Sequence, residues 1–492
     1  MQEHHVVVVG GGFAGLQLIN DLKRLPLRIT LIDRRNHHLF QPLLYQVATT
    51  LLATSEIAWP IRSLYRDRPE VTTLLAEVKA VDKSARTVEL ASGETLSYDT
   101  LVLATGVTHA YFGHSEWEPV APGLKTLEDA TTIRRRTLLA FERAELAAET
   151  AEQDAQMTFA IVGAGPTGVE LAGIIAELSH TTLQKEFRRI DTRKTRVLLI
   201  EAGPRILPSF AEDLAGYAAK TLKQRGVEIL TGRAVTNCTA NGVTIGDEFV
   251  PCRTIIWAAG VQASPAARWL GAEADRAGRV IVGKDLTVPG LPDVFAIGDT
   301  ASVTQEDGSP VPGIAPAAKQ QGAYVARLIR DRLTSGKATA SREENLVADA
   351  VSQAGATAAG QAGPPVTGLA GIHEVGHAGT QVAAQASTEA GPTGAQPKGR
   401  SGGTPNVGSP PPFRYRHQGS LATIGNNSAI IDFGRIKLRG SLAWWIWGIA
   451  HIYFLIGTRW RFAVAWSWLW ISISGQHSAR LITQRETIKD EG

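Results

Sequence analysis

Short runs of β-branched residues alternate with longer stretches of helical spacing over residues 1 to 335. The clearest runs are Val6 to Val9 and Phe159 to Val162, and each is followed at once by closely spaced glycines and a helical pattern. The same strand, glycine turn and helix therefore occur twice, about 150 residues apart. Such alternation is typical of α/β proteins with mostly parallel sheets. We predict an α/β fold with two copies of one unit.

The first glycine turn has the residues needed to bind a dinucleotide. Gly10, Gly12, Ala14 and Gly15 lie between a strand and a helix, and Asp33 closes the next strand. Glycines at this spacing let the backbone and a helix N-terminus approach a pyrophosphate, and a carboxylate about 20 residues further on can hold ribose hydroxyls. On these residues alone, FAD and a nicotinamide dinucleotide fit equally well.

The second turn repeats the pattern with Gly163, Gly165 and Gly168, and Glu201 ends the following strand. A carboxylate there accepts from a ribose 2′ hydroxyl and repels a 2′ phosphate, which favours NADH over NADPH. Arg205 is close enough in sequence to weaken that preference. Two structural turns without any ligand are the less favoured alternative.

Residues 336–412 differ from the rest of the chain because they contain no Phe, Tyr or Trp and consist mostly of Ala, Gly, Ser, Thr, Gln and Pro. Such a segment cannot bury enough apolar area to offset its chain entropy, so we predict a disordered insertion. His373 and His377 have the spacing of a helical metal-binding pair, but the glycines around them disfavour a helix. We predict no metal site.

The C-terminal part begins with a predicted short β segment, in which 419–425 and 429–437 form two strands joined through Asn426 and Asn427. An apolar region follows, and residues 441–458 carry no Asp, Glu, Lys or Arg. Seven of the 11 tryptophans fall in this last part of the chain: Trp444, Trp445, Trp447, Trp460, Trp466, Trp468 and Trp470.

An uncharged run of this length is marginal for a membrane-spanning helix, which needs about 20 residues. Basic residues lie on both sides of it, which the positive-inside tendency disfavours for a spanning helix. Tryptophan prefers the headgroup boundary, and arginine can pair with anionic lipid. We therefore predict that 441–473 lies on the bilayer surface as a monotopic anchor; a buried helix pair is the less favoured alternative.

Composition narrows the class of protein. The 492 residues include only two cysteines, Cys238 and Cys252, which excludes a secreted disulfide scaffold and a multi-cysteine metal site. No signal peptide precedes the first strand, so we expect the main body in the cytoplasm. We predict no nucleic-acid partner.

Further motifs resemble the two-dinucleotide flavoproteins. Leu291 to Asp299 is similar to the late motif of that superfamily, and 101–106 and 255–260 resemble its crossover strands. The resemblance implies that the first glycine turn holds FAD without a covalent bond and that the second binds NADH as co-substrate. It adds Thr105, Gly106, Gly298 and Asp299 to the FAD residues, and Gly260 to the NADH residues. No cysteine pair follows the first turn, which excludes a disulfide reductase.

Three segments closely resemble type II NADH:quinone oxidoreductases, which are single-subunit flavoenzymes of respiratory membranes: 36–49, 168–172 and 315–321. Residues 413–416 and 419–425 strengthen the resemblance. It implies that Glu170 lies beside the flavin, between the nicotinamide and the quinone. A purely structural helix residue is the alternative for Glu170.

The resemblance also implies a quinone site formed by Ala315, Ala318, Gln320 and Gln321, with Glu170 and Gln320 as the catalytic candidates. The family pattern Ala-Gln-x-Ala-x-Gln has Pro316 in place of its first glutamine in this chain. We therefore expect fewer hydrogen-bond donors at that end of the site.

The predicted domain boundaries follow from these motifs. They are 1–115 and 284–335 for the two parts of the FAD domain, 116–156 for a connecting segment, 157–283 for the NADH domain, 336–412 for the insertion, 413–440 for the β segment and 441–492 for the anchor.

The predicted activity is transfer of two electrons from NADH through FAD to a membrane quinone, without proton pumping. The expected location is the cytoplasmic face of a bacterial inner membrane, with a homodimer left open. One alternative is a reductase with another acceptor, such as a sulfide:quinone or ferredoxin-type enzyme. The other is a membrane-bound nucleotide sensor without turnover.

Overall fold

The computed structural model describes residues 3–335, 410–477 and 479–482. Almost all of the predicted insertion, including His373 and His377, lies outside the described residues. The chain divides into a large unit, 1–327 with 412–492, and a second unit, 328–411. Of the second unit, the structure describes the end of a helix, 328–335, and residues 410–411.

A six-stranded sheet forms the first half of the large unit. All its neighbouring strands are parallel except the first pair, and their order across the sheet is Thr287–Val288, Leu291–Ala296, Thr100–Leu103, His4–Val9, Leu27–Asp33 and Val71–Leu75. The central strand is buried from Val6 to Val9, because it is covered on both faces. This sheet therefore combines strands that precede the second glycine unit in sequence with strands that follow it.

A four-stranded parallel sheet forms the second half, in the order Val227–Thr231, Arg196–Glu201, Thr158–Val162 and Thr254–Trp257. Strands Val107–His109 and Val261–Ala263 pair antiparallel. The first follows Thr100–Leu103 of the six-stranded sheet and the second follows Thr254–Trp257 of the four-stranded sheet, so the pair connects the ends of the two sheets. Two smaller antiparallel sheets have three strands each: Val78–Asp82, Thr87–Leu90 and Thr95–Ser97; and Val235–Thr239, Gly242–Ile245 and Glu248–Pro251. His37–Leu39 and Ala58–Pro60 form an antiparallel pair, and Val280–Ile281 and Ala301–Ser302 form a parallel pair.

Helices connect and cover the sheets. They are Phe13–Asp21, Leu44–Ala48, Ile61–Leu64, Leu127–Leu146, Thr150–Gln156, Pro166–Glu177, Glu212–Gln224, Ala266–Leu270, 315–335, Ser441–Phe454 and Thr458–Ser474. The connecting segment thus contains the longest of the helices before residue 315, Leu127–Leu146. Thr126 and Asp129 begin it with a reciprocal capping box, in which each side chain accepts from the other's backbone N–H.

The C-terminal part opens with a three-stranded antiparallel sheet, Ser420–Thr423, Ala429–Asp432 and Lys437–Gly440. The first strand, the turn and the start of the second strand agree with the sequence prediction. The second strand ends at Asp432 rather than at 437, and the third strand, which begins at Lys437, was not predicted. Buried residues of this sheet and of Ser441–Phe454 join the same apolar core as helix Pro166–Glu177. Within the described residues, no helix is both long and apolar enough to cross a membrane.

Candidate functional site

A cavity of about 1300 Å³ is lined by several parts of the chain. They include the first glycine turn with the loops after its neighbouring strands, the first turns of helix Pro166–Glu177, the start of helix 315–335, and the end of helix Ser441–Phe454. The cavity therefore connects the first dinucleotide motif with the tryptophan-rich C-terminal part.

Most of the residues predicted for FAD and quinone line this cavity. They are Gly10, Gly12, Ala14, Asp33, Thr105, Gly106, Glu170, Gly298, Asp299, Ala315, Ala318 and Gln320. Some predicted residues lie elsewhere: Gly15, Gly163, Gly165, Gly168, Glu201, Gly260 and Gln321.

The first turn has the close packing that its glycines require. Gly10 has a φ of 110°, and a Cβ there would lie 2.3 Å from the carbonyl oxygen of Ala104. A Cβ on Gly15 would lie 2.1 Å from the oxygen of Gly10. Gly12, in contrast, has open space where its Cβ would be, and helix Phe13–Asp21 begins there without a side-chain cap or a first-turn acid. An uncapped helix N-terminus on a cavity fits a pyrophosphate.

Asp33 is held in place by backbone donors. Its Oδ2 accepts from Gly11 N–H at 2.6 Å, and its Oδ1 accepts from Arg35 N–H at 2.7 Å. Each carboxylate oxygen has two lone pairs, so both can still accept from ribose hydroxyls. The turn and its carboxylate therefore fit the adenosine and pyrophosphate parts of FAD.

Asp299 lies with Lys125 on the cavity wall. Burial raises the pKa of Asp299 and lowers the pKa of Lys125, while the attraction between the two charges opposes both shifts. Gln321 lies behind this turn, where its Oε1 accepts from Gly298 N–H at 2.6 Å. The structure thus gives Gln321 a supporting position rather than one on the cavity surface.

The second glycine turn is built in the same way. A Cβ on Gly163 would lie 2.6 Å from Ala258, and one on Gly168 would lie 1.9 Å from the oxygen of Gly163. Helix Pro166–Glu177 also begins without a side-chain cap or a first-turn acid, and the space at Gly165 is open. A second pyrophosphate fits this helix N-terminus.

Glu201 and Arg205 both bind backbone groups near this turn, but at different places. Glu201 accepts from Ala164 N–H and from Gly203 N–H, each at 2.8 Å. The guanidinium of Arg205 donates to three backbone carbonyls, those of Leu207, Pro208 and Phe210. Since its donors are engaged within its own loop, Arg205 is poorly placed to attract a 2′ phosphate.

Glu170 lies on the cavity wall next to a cluster of buried polar groups. Burial raises its pKa to about 8, although an interaction with the backbone N–H of Thr423 opposes the shift. The hydroxyl of Thr423 lies 2.9 Å from the Tyr45 hydroxyl, which accepts from Gln46 Nε2 at 3.0 Å. Trp468 Nε1 in turn donates to Gln46 Oε1 at 2.8 Å. A chain of polar contacts therefore joins Glu170 to the last helix.

The start of helix 315–335 forms the wall predicted for quinone. Ala315, Pro316, Ala318, Lys319 and Gln320 line the cavity there. The amide of Gln320 is paired with the backbone of residue 416, donating to its carbonyl and accepting from its N–H, each at 2.9 Å. Gln320 therefore holds the segment that follows Phe413, and its contact with quinone stays a prediction.

Several residues at or beside the cavity were not named in the sequence prediction. Lys125 lies in no recognised motif, while Tyr45 and Thr423 lie inside the segments 36–49 and 419–425 but gain their role only through tertiary packing. Lys319 lies inside a recognised motif, and its polarity among alanines was a signal that sequence reasoning did not use.

Both cysteines are buried, and burial raises the pKa of each thiol to about 12. A thiol held in its protonated form is a poor nucleophile, and both side chains belong to an apolar core cluster, so we interpret both cysteines as small core residues. His38 is also structural: it is buried, donates from Nδ1 to the oxygen of Gly11 and stacks on Trp59. No cluster of potential metal ligands occurs in the described ranges.

The family models cover most of the chain. One described as pyridine nucleotide-disulphide oxidoreductase matches residues 4–322, and one described as NDH2 C-terminal domain matches residues 417–477.

Two curated relatives from Mycobacterium tuberculosis match nearly end to end. The type II NADH:quinone oxidoreductase Ndh is 36% identical in an alignment of 498 positions, gaps included, that covers 99% of this chain and 91% of the relative. The type II NADH:quinone oxidoreductase NdhA is 36% identical, covering 94% of this chain and 86% of the relative.

Solved structures show the same fold. NDH2 from Plasmodium falciparum in complex with NADH has a TM-score of 0.77 at 17% identity, over 98% of this chain and 100% of that one. A sulfide:quinone oxidoreductase from Aquifex aeolicus has a TM-score of 0.56 at 23% identity, over 68% of this chain and 77% of that one. With the full-length relatives at 36% identity, the chain belongs to the pyridine nucleotide-disulphide oxidoreductases and, within them, to the type II NADH:quinone oxidoreductases.

Proposed function

We propose that this chain oxidises NADH and reduces a quinone at the membrane surface, with FAD between the two substrates and without proton pumping. The observation that carries the proposal is the single cavity that joins the first glycine turn, Glu170, helix 315–335 and helix Ser441–Phe454. The full-length relatives, named type II NADH:quinone oxidoreductases, support the same activity.

The residues divide the binding work. Gly10, Gly12, Ala14 and Gly15 form the turn for the FAD pyrophosphate, and Asp33 holds its ribose. Thr105, Gly106, Gly298 and Asp299 line the rest of its cradle. NADH takes the second turn, with Gly163, Gly165, Gly168 and Gly260, and Glu201 selects against a 2′ phosphate. The chemistry that FAD supplies when bound is two-electron exchange with NADH on one side and quinone on the other.

Glu170 holds a proton in the cavity at neutral pH, because its pKa lies near 8. Reduction of a quinone to a quinol takes up two protons, so a protonated carboxyl beside the reacting groups is useful there. Ala315, Ala318 and Gln320 shape the quinone wall.

We also propose that the two C-terminal helices bind the surface of a lipid bilayer through 441–473, on the cytoplasmic face of a bacterial inner membrane. Large apolar side chains are exposed on both helices: Leu442, Trp445, Ile449, Tyr453, Phe462, Trp466, Leu469, Trp470 and Ile473. Arg459 and Arg461 lie in the first turn of the second helix and can pair with lipid phosphates.

Anaerobic stopped-flow measurements on the FAD-loaded chain test the electron path. We expect NADH to bleach the flavin rapidly, and a short-chain quinone to restore its colour. Bleaching with NADPH should be slower, because Glu201 repels the 2′ phosphate. If quinone fails to reoxidise the reduced flavin, the proposed activity is wrong. If NADPH bleaches the flavin faster than NADH does, the proposed role of Glu201 is wrong.

Sulfide as the donor separates the proposal from a sulfide:quinone enzyme. That chemistry needs reactive cysteines beside the flavin, whereas the two cysteines of this chain are buried and protonated. We therefore expect sulfide to leave the flavin oxidised.

A further inference from the structure

The quinone wall has few free hydrogen-bond donors. Pro316 has none on its side chain, and the Gln320 amide uses its oxygen and one of its two N–H groups on the backbone of residue 416. On the facing helix, His451 Nδ1 donates to the oxygen of Trp447 at 2.7 Å, and burial lowers its pKa to about 4, so this ring is neutral. The second N–H of Gln320 is thus a neutral side-chain donor left at this wall, and a quinone carbonyl that gains negative charge needs a stronger, charged donor as well.

The ammonium group of Lys319 fills that need. Lys319 lines the cavity, one residue after Ala318, and is about half buried. Its Nζ lies 5.5 Å from the ring centroid of Phe454, which also lines the cavity. Among the described residues, no carboxylate lies within 4 Å of this Nζ. Burial lowers the pKa of Lys319, and Asp21 opposes this from a distance.

A half-buried ammonium without a carboxylate partner is costly to the fold. The face of an aromatic ring offsets part of that cost, since a cation–π contact contributes about 0.5–2 kcal/mol. It leaves the N–H groups of the ammonium available, because a ring face is a weaker acceptor than an oxygen. This arrangement is typical of a hydrogen-bond donor whose acceptor is a bound ligand.

We propose that Lys319 is a catalytic residue of quinone reduction, donating a hydrogen bond from Nζ to a quinone carbonyl oxygen. This rests on the proposed function. As two electrons reach the quinone, negative charge accumulates on that oxygen, and a nearby positive charge stabilises it. Lys319 keeps its proton throughout. The chain thus replaces the donor lost at Pro316 with one from the next turn of the same helix.

The competing role for Lys319 is structural, as a clamp between helix 315–335 and Phe454. Three substitutions separate the two roles. Lys319→Met removes the charge and the donor, Lys319→Arg keeps both, and Phe454→Leu removes the ring but leaves the ammonium. Arg327→Gln is the matched control, because Arg327 is an exposed cation on the same helix.

The experiment measures the two half-reactions separately on the FAD-loaded chain by anaerobic stopped flow. For Lys319→Met we expect an unchanged rate of flavin reduction by NADH and a reoxidation rate by short-chain quinone that falls about 10- to 100-fold, somewhat less than for a fully dry oxyanion donor. Lys319→Arg should recover most of the loss. Phe454→Leu should have a smaller effect than Lys319→Met, and Arg327→Gln should have none.

Reoxidation of Lys319→Met at the wild-type rate would overturn the inference while leaving the proposed function in place. So would equal slowing of both half-reactions without recovery in Lys319→Arg, since that is the mark of a structural clamp. If quinone fails to reoxidise the wild-type flavin, the proposed function itself is wrong, and this inference is wrong with it.

Discussion

Glu170 owes its chemistry to where its helix begins. It lies close to the start of Pro166–Glu177, where the N-terminus must stay open for a pyrophosphate, and the Ser420–Thr423 strand packs over it. Burial makes the charged carboxylate unfavourable, while the neighbouring Thr423 and Tyr45 are neutral polar groups that bring no positive charge. The same side chain on an open helix would be ionised at neutral pH.

The substitution Glu170→Gln tests this state, because glutamine imitates the protonated carboxyl. The folded-state pKa of about 8 lies above the ordinary value of 4.5, so the folded chain keeps a proton that the unfolded chain releases. Wild-type stability should therefore fall as pH rises through this window, by up to about 1.4 kcal/mol per pH unit. We expect the wild type and Glu170→Gln to have equal Tm values near pH 5. As the pH rises towards 8, the variant should become increasingly more stable than the wild type.

Thermal melts across this pH range make the measurement, with the exposed Glu273→Gln as the control. A Tm difference that does not change with pH would show that the pKa of Glu170 is not raised. In the same samples, Glu170→Gln should lower turnover roughly tenfold or more, since the amide cannot release a proton. Unchanged turnover would return Glu170 to a purely structural role.

At the scale of elements, the C-terminal β segment is fastened to the helix that carries Glu170. Glu177, at the end of that helix, accepts from Arg225 and from the backbone N–H of Asn426, each at 2.9 Å. Arg225 also donates to the oxygen of Asn426 at 2.6 Å. Gly173 lets the turn approach, since a Cβ there would lie 2.6 Å from the nitrogen of Gly425.

We expect Gly173→Ala to destabilise the chain by about 1–3 kcal/mol, because the added methyl group must displace backbone atoms. Alanine ordinarily stabilises a helix interior relative to glycine by about 0.5–1 kcal/mol, so the expected sign is opposite to the general rule. Gly216→Ala is the matched control: Gly216 is exposed in helix Glu212–Gln224, with open space around its Cβ position. Thermal melts should show a lower Tm for the first variant and an equal or higher Tm for the second. Equal shifts in both would contradict the tight docking of this turn.

The parts of the fold that sequence predicted are those whose signals are local. Both glycine turns place their motif residues within one strand, turn and helix, and the turn at Asn427, with a φ of 62°, follows from residues that favour such conformations. The third C-terminal strand, Lys437–Gly440, was missed because its alternating charges resemble a loop as much as an edge strand. Lys125 was missed because nothing near it in sequence marks its approach to Asp299.

At the scale of the whole molecule, the two last helices have two different faces. Residues 442, 445, 449 and 453 recur at helical spacing and are 62–68% exposed, although all are large and apolar. On the opposite side of the same helix, Trp447 is 1% exposed and Trp444 is 9% exposed. The division explains the cluster of tryptophans: some complete the core, and the others form an apolar outer surface next to arginines.

The last prediction concerns that outer surface. Each large apolar side chain withdrawn from water contributes roughly 1.5–3 kcal/mol, so the double substitution Trp445→Ser and Trp466→Ser should weaken binding to anionic lipid vesicles at least about tenfold. Co-sedimentation with vesicles measures this, and rising salt should weaken the wild type through Arg459 and Arg461. Phe249→Ser is the control, because Phe249 is 51% exposed but belongs to the separate strand Glu248–Pro251.

The activity of the double variant should depend on where the quinone is dissolved. Both tryptophans are exposed and neither lines the cavity, so the double variant should reduce a water-soluble short-chain quinone at the wild-type rate. Its turnover with a long-chain quinone dissolved in the vesicles should fall with the loss of binding, because that substrate stays in the bilayer. Equal vesicle binding by the variant and the wild type would exclude this surface as the membrane contact. Equal loss with both quinones would instead indicate damage to the cavity, since only a membrane contact makes the effect depend on where the acceptor is dissolved.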